Sequence, residues 1–254
     1  MTLRYIDHFN HLLGDLEQQS LKRTLKICDS ASAPVMTIDG QAMLTFCSND
    51  YLGLANHPEL AKAISEGLQL FGSGSGASHM ISGHHRPHDD LEKALAKTQE
   101  AFIPEVRALF FSTGYMANLA AITAISSSLG SNQVMSIYSE ELNHASLIDG
   151  VRLASKQNQA KVQVFPHQDL QALEQLLAND TNQFKLIVTD GVFSMDGDLA
   201  QVSALLKLAH QYDALILVDD AHGFGVLGQH GFGILEHAGI QKSNEATSRI
   251  IYIG

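Results

Sequence analysis

The chain has 254 residues, of which 45% are apolar and 17% charged. That is enough apolar material for a buried core, and the charge is too low for a disordered chain. The formal net charge of −11 argues against a general nucleic-acid surface, which needs clustered Lys and Arg.

Two cysteines, Cys28 and Cys47, make no disulfide framework, so a reducing cytoplasm is expected. The start, Met1-Thr-Leu-Arg-Tyr-Ile-Asp, lacks the apolar core of a signal peptide. Residues 108–139 carry no formal charge. Gly114, Asn118, the serines at 126–128 and Gly130 interrupt them, so they read as strand, loop and helix rather than a membrane span.

In chain order, residues 1–30 read as helical, with Ile6, Phe9, Leu12, Leu13, Leu16 and Leu21 near a 3.6 period. A β segment at Val35–Ile38 turns at Asp39-Gly40 and resumes over Ala42–Phe46. Pro58 opens a helix to about Leu70, and a glycine-rich stretch follows to His79. A helix is expected from about Asp89 to Phe102. Short apolar runs then recur at Ala108–Phe111, Val134–Tyr138, Val162–Phe165, Leu186–Thr189, Ala214–Val218 and Ile250–Ile253. Helical stretches at 115–128, 144–155, 168–178 and 201–211 separate most of them. Strands apolar on both faces with crossover helices predict an α/β fold: a mainly parallel sheet with helices on both faces.

Ligands of such sheets bind outside the carboxyl ends of the strands, where the polar clusters fall. Ser112-Thr-Gly114 turns one run directly into a helix. It is either a phosphate cradle of free amides or an ordinary cap in which Ser112 or Thr113 satisfies those amides. Asn143-His144 follows another run; His144 either lies flat against an aromatic ligand or is a satisfied loop histidine. Asp219 ends an apolar strand, where a carboxylate needs a cationic partner, and a protonated pyridine nitrogen would serve. His222 could reach a phenolic oxygen on the same ring. The alternatives are a helix cap by Asp220 with a surface histidine, or a metal site, for which no third ligand stands at suitable spacing. Gly72-Ser-Gly-Ser-Gly76 fits neither the dinucleotide fingerprint nor a nucleophile elbow. His84-His-Arg-Pro-His88 lacks the Glu of a zinc-helix motif.

Taken in order, Ser48-Asn-Asp-Tyr-Leu-Gly-Leu54, Ser82-Gly-His84, Ser112-Thr-Gly-Tyr115, Asn143-His-Ala-Ser146, Asp190-Gly-Val-Phe-Ser-Met-Asp-Gly-Asp198 and Val218-Asp-Asp-Ala-His-Gly-Phe-Gly-Val-Leu-Gly228 resemble the α-oxoamine synthase family of fold-type I pyridoxal-phosphate enzymes. The run from Asp219 to Gly223, followed by Gly225-Val226, is most similar to the branch that condenses L-alanine with a pimeloyl thioester (on coenzyme A or a carrier protein). Glycine C-acetyltransferase or another α-oxoamine synthase is the alternative within the family.

The resemblance implies a cytoplasmic homodimeric acyltransferase with pyridoxal 5′-phosphate as cofactor. It implies that Gly114 and Tyr115 bind the phosphate, that His144 stacks on the ring, and that Asp219 pairs with the ring nitrogen. Ser194 and His222 would hold the phenolic-oxygen side, and Arg23, Asn49 and His144 the substrate. Residues 1–50 would be an N-terminal helix and β segment, and 51–254 a large cofactor domain. The family usually has Glu where Asp190 stands and Gly-Arg-Gly where Gly231-Phe-Gly233 stands. Its cofactor-holding lysine and C-terminal domain have no counterpart up to Gly254, and the context of the ten lysines present offers no substitute. Little activity is therefore expected of residues 1–254 alone, with a non-catalytic fragment paired to a full-length subunit as the alternative. A metal-dependent hydrolase using Asp219 and His222 ranks last.

Overall fold

The computed structural model describes residues 4–130 and 133–254. It divides into two units, residues up to Gly67 and Leu68–Gly254.

In the first unit, helix α1 spans Arg4–Gln18. It stops well short of the expected residue 30. Ser20 takes a left-handed φ of 57°, and the amides of Leu21 and Lys22 both turn back onto the carbonyl of Leu16, at 2.8 and 3.1 Å. Beyond that point the apolar side chains at 21, 25 and 27 lie exposed on irregular backbone. Strands β1 (Val35–Ile38) and β2 (Gln41–Leu44) pair antiparallel. Asp39 and Gly40 join them with φ of 49° and 76°, the positive pair that a two-residue hairpin turn of matching twist requires. Helix α2, Pro58–Phe71, begins with proline as its sequence indicates.

After the end of α2, which lies beyond Gly67, the second unit continues with a π-helical turn, His79–Gly83, and helix α3, Arg86–Gln99. Ala108–Phe111, expected as a strand, forms none. Leu109 is 77% exposed, and the Phe110 amide goes to Glu92 Oε1 at 2.9 Å. An apolar run becomes a strand only where a neighbouring strand takes its backbone groups; here a side chain takes one instead.

From α4 (Gly114–Ser127) the alternation is regular: β3 (Met135–Glu140), α5 (Ala145–Asn158), β4 (Lys161–Phe165), α6 (Leu170–Ala178), β5 (Phe184–Asp190), α7 (Val202–Gln211), β6 (Ala214–Asp219), α8 (Ile234–His237) and β7 (Ile250–Ile253). The strands form one sheet in the order β4-β3-β5-β6-β7, every pair parallel.

Alternate strand residues serve two cores, as the strand period of two demands. Ile137, Leu186, Val188 and Leu217 pack with Ile122 of α4 and Leu147 and Val151 of α5. Tyr138, Ile187, Ile216 and Val218 pack with Leu173 of α6 and Val202 and Leu205 of α7. Both faces are thus covered, which is why the centres of β5 and β6 read as continuous apolar runs. The order reverses between β3 and β5. In open α/β sheets the crevice at such a reversal is the ligand site.

Candidate functional site

The register sets the carboxyl edge. Asp190 at the end of β5 lies opposite Asp219 at the end of β6, and Asp219 lies opposite Ile253 of β7. At the reversal the loop after β3 is stitched to the end of β5. The Asp190 amide donates to Asn143 Oδ1 at 2.9 Å, and the His144 amide donates to Asp190 Oδ2 at 2.8 Å. Asn143 also donates to the Val188 carbonyl at 2.9 Å. Burial, together with the negative charges of Asp219 and Glu140, pushes the Asp190 carboxyl up to about 7, opposed by the His144 amide.

The two adjacent aspartates do different work. Asp220 is fully buried. Its Oδ2 takes the Ile234 amide, the first of α8, and the Tyr252 hydroxyl, each at 2.6 Å. A Cβ on Gly223 or Gly233 would come within 2.1 Å of this carboxylate, so the glycines around it make room for it. Burial pushes Asp220 up to about 6. It is the structural cap that the sequence left open as an alternative.

Asp219 is 7% exposed and faces the other way. Its Oδ2 accepts from Asn118 Nδ2 at 2.6 Å and its Oδ1 from the Ala221 amide at 3.1 Å. Asn118 Nδ2 also donates to Ser146 Oγ at 2.8 Å. Ser146 Oγ lies 2.6 Å from His144 Nδ1, which also receives the Ser146 amide at 3.3 Å. One continuous chain therefore runs from Asp219 through Asn118 and Ser146 to His144. With its two hydrogens committed to Ser146 and Asp219, Asn118 Nδ2 leaves the serine hydroxyl to donate to His144. His144 Nδ1 is thus an acceptor, and the neutral ring carries its proton on Nε2.

Asn118 stands one turn into α4, roughly 6 Å along the axis from Gly114. Its bond to Asp219 therefore brings the start of α4 to the carboxyl edge beside β6. Thr113 caps this helix, its hydroxyl accepting from the Met116 amide at 3.1 Å. The amides of Gly114 and Tyr115, in the first turn, have no partner within the helix. A Cβ on Gly114 would meet nothing within 4 Å, so the space beside this residue is open. The Tyr115 hydroxyl donates to Asp149, which ties α4 to α5.

Of the residues singled out in the sequence, Gly114, Tyr115, His144 and Asp219 are brought to one edge. Ser194 is exposed in the loop after β5, and His222 is half-buried in the turn after β6. Arg23 and Asn49 lie in the first unit, both exposed; Asn49 Oδ1 accepts from the Tyr51 hydroxyl at 3.4 Å. Sequence reasoning missed Asn118 and Ser146. A lone amide in the apolar helix 114–127, four residues after the glycine, was the available signal for the first. Nine of the ten lysines are exposed, and the tenth, Lys185, is half-buried near the start of β5, at the opposite end of the sheet. Among the described residues no group of three or more His, Cys, Asp or Glu could hold a metal, and no helix is long and apolar enough to cross a membrane.

The model of the aminotransferase class I and II family matches residues 41–250. The chain belongs to this family. Among curated proteins it is similar to the 8-amino-7-oxononanoate synthase of Cupriavidus metallidurans, 51% identical over 98% of this chain and 59% of that protein. It is similar to that of Janthinobacterium sp. (strain Marseille), 52% identical over 95% of this chain and 58% of that one. Among solved structures, Sphingomonas wittichii serine palmitoyltransferase superposes with a TM-score of 0.81 at 30% identity, covering 94% of this chain and 58% of the other. A serine palmitoyltransferase variant of S. paucimobilis with bound PLP–myriocin aldimine gives 0.80 at 28%, covering 95% and 58%. This aminotransferase-family chain thus spans a little under three fifths of the length of these relatives.

The family and these neighbours identify pyridoxal phosphate as the cofactor, and the residues present fit it. A buried carboxylate, oriented by Asn118 and the Ala221 amide, stands at the carboxyl edge as a partner for a protonated ring nitrogen. An open, glycine-led helix start provides amides for a phosphate dianion.

Proposed function

We propose that the protein is an 8-amino-7-oxononanoate synthase, joining L-alanine to a pimeloyl thioester with loss of CO₂ on the way to biotin. The observation that carries the proposal is the bond between Asn118 and Asp219, at 2.6 Å, which sets an anion-binding helix start beside a buried carboxylate. Relatives of that name at about half identity support the choice of substrates.

When bound, pyridoxal phosphate supplies an electron sink for charge that develops at the amino acid's α-carbon. The chain's own residues do the rest. Asp219, oriented by Asn118 and the Ala221 amide, holds a proton on the ring nitrogen. The Gly114 and Tyr115 amides bind the phosphate. His144 lies against the ring, and with Nδ1 occupied by Ser146 it offers an Nε2–H to the substrate. Ser194 and His222 hold the phenolic-oxygen side, and Arg23 and Asn49 serve the substrate. The whole protein acts as a cytoplasmic homodimer.

The test is formation of 8-amino-7-oxononanoate and CO₂ from L-alanine and pimeloyl-CoA, or its carrier-protein form, by the whole protein. A preference for glycine with acetyl-CoA would redirect the assignment to the sister enzyme, and no product from either pair would end it.

A further inference from the structure

Beside the site, three chain segments converge on one histidine. His167 stands between β4 and α6. Its Nδ1 lies 2.6 Å from Glu140 Oε1 and its Nε2 lies 2.6 Å from Asp198 Oδ2. Glu140 is the last residue of β3 and is 3% exposed. Asp198 belongs to the loop after β5, which closes on itself through a bridge between Val192 and Leu199 and a bond from the Phe193 amide to the Asp198 carbonyl at 3.0 Å. Phe193 meets the histidine ring edge-on, with centroids 4.6 Å apart at 90°.

A ring placed between two carboxylates can donate from both nitrogens only as an imidazolium, the form this geometry favours. The charged groups that face it are Glu140 from β3, Glu141, whose Oε2 takes the His167 amide at 3.3 Å, and Asp198 from the loop. Gln168 and Phe193 are its neutral neighbours, and Gln168 also donates to Asp198 Oδ2. Asp198 Oδ1 is buried with no hydrogen-bond partner, so the carboxylate's grip on the fold passes through Oδ2 alone. Burial works against the charge on His167, but Asp198 and Glu140 outweigh it and its pKa is raised.

We propose that His167 is a positioning residue: gripped by Glu140 and Asp198, it fixes the loop 191–199 and with it Ser194. The grip itself stands on the geometry; its consequence for the cofactor rests on the role given to Ser194 under the proposed function. A raised folded pKa means that the clamp's contribution is complete below the ordinary histidine range and is lost as pH rises through the raised value.

Hydrogen exchange of the full chain, followed by mass spectrometry from pH ~6 to ~9, tests it without cofactor. In the wild type, protection of 192–199 should fall by about tenfold, the size expected for losing charge-assisted bonds, while β5 and β6 hold theirs. His167→Gln and Asp198→Asn should show low protection of this loop with no pH response. A flat wild-type profile, or a His167→Gln profile equal to the wild type over a folded core, overturns the proposal. Adding pyridoxal phosphate gives a separate arm. Slowing around Ser194 that is weaker in His167→Gln supports the link to the cofactor, and equal slowing in both overturns it. No slowing at the carboxyl edge counts against the cofactor reading, while the pH response still decides the clamp.

Discussion

Asn118 and Asp219 are 101 residues apart in sequence, yet Nδ2 of the first lies 2.6 Å from Oδ2 of the second. Both are buried, and the bond ties α4 to the end of β6. Asn118→Ala leaves Asp219 with only the Ala221 amide among the donors described. A hydrogen bond to a charged group is worth roughly 1.5–3 kcal/mol, so urea unfolding should show a loss of about that size and a weaker affinity for pyridoxal phosphate. Asn118→Asp should cost more, because it sets a second carboxylate against the first. A variant with wild-type stability and affinity would show that the bond orients nothing.

Asp190 predicts a pH dependence. Its folded pKa, about 7, is raised above that of the unfolded chain. The group's stabilisation is therefore complete below about pH 4 and is lost as pH rises to and through about 7. Asp190→Asn keeps an oxygen for the His144 amide and cannot ionise. Its stability should decline less between these pH values, by on the order of a few kcal/mol. Unfolding curves of both proteins across this range check it, and parallel profiles would contradict it.

The glycines around Asp220 predict a contrast. A Cβ at Gly223 would lie 2.1 Å from Asp220 Oδ1, and Asp220 is pinned by Ile234 and Tyr252. Gly223→Ala should therefore cost about 1–3 kcal/mol. Gly67, inside α2, has nothing within 4 Å of its added Cβ, so Gly67→Ala should stabilise by roughly 0.5–1 kcal/mol. Thermal melts of the two variants should move in opposite directions.

Much of the second unit was legible in the sequence. Strands β3, β5 and β6 are buried on both faces, so their apolar runs stood out, and Asp219 stood out as a carboxylate ending one of them. Ala108–Phe111 has the same composition but no ladder, and only the fold decides pairing. The helix of the first unit was overextended because apolar spacing continues past Gln18, whereas the turn at Ser20 is a backbone event. Asn118 was hidden because its partners, Ser146 and Asp219, come together only through the packing of α4 and α5 on the sheet. Asp219 and Asp220 are alike by type; Asp219 ends β6, and Asp220, just past it, turns to Ile234 and Tyr252.

A crystal structure of the chain soaked with pyridoxal phosphate tests the central claim most directly. The account predicts the ring nitrogen within hydrogen-bond distance of the Asp219 carboxylate, and the phosphate oxygens on the amides of Gly114 and Tyr115. A cofactor seated elsewhere, or with its phosphate away from the start of α4, would contradict it.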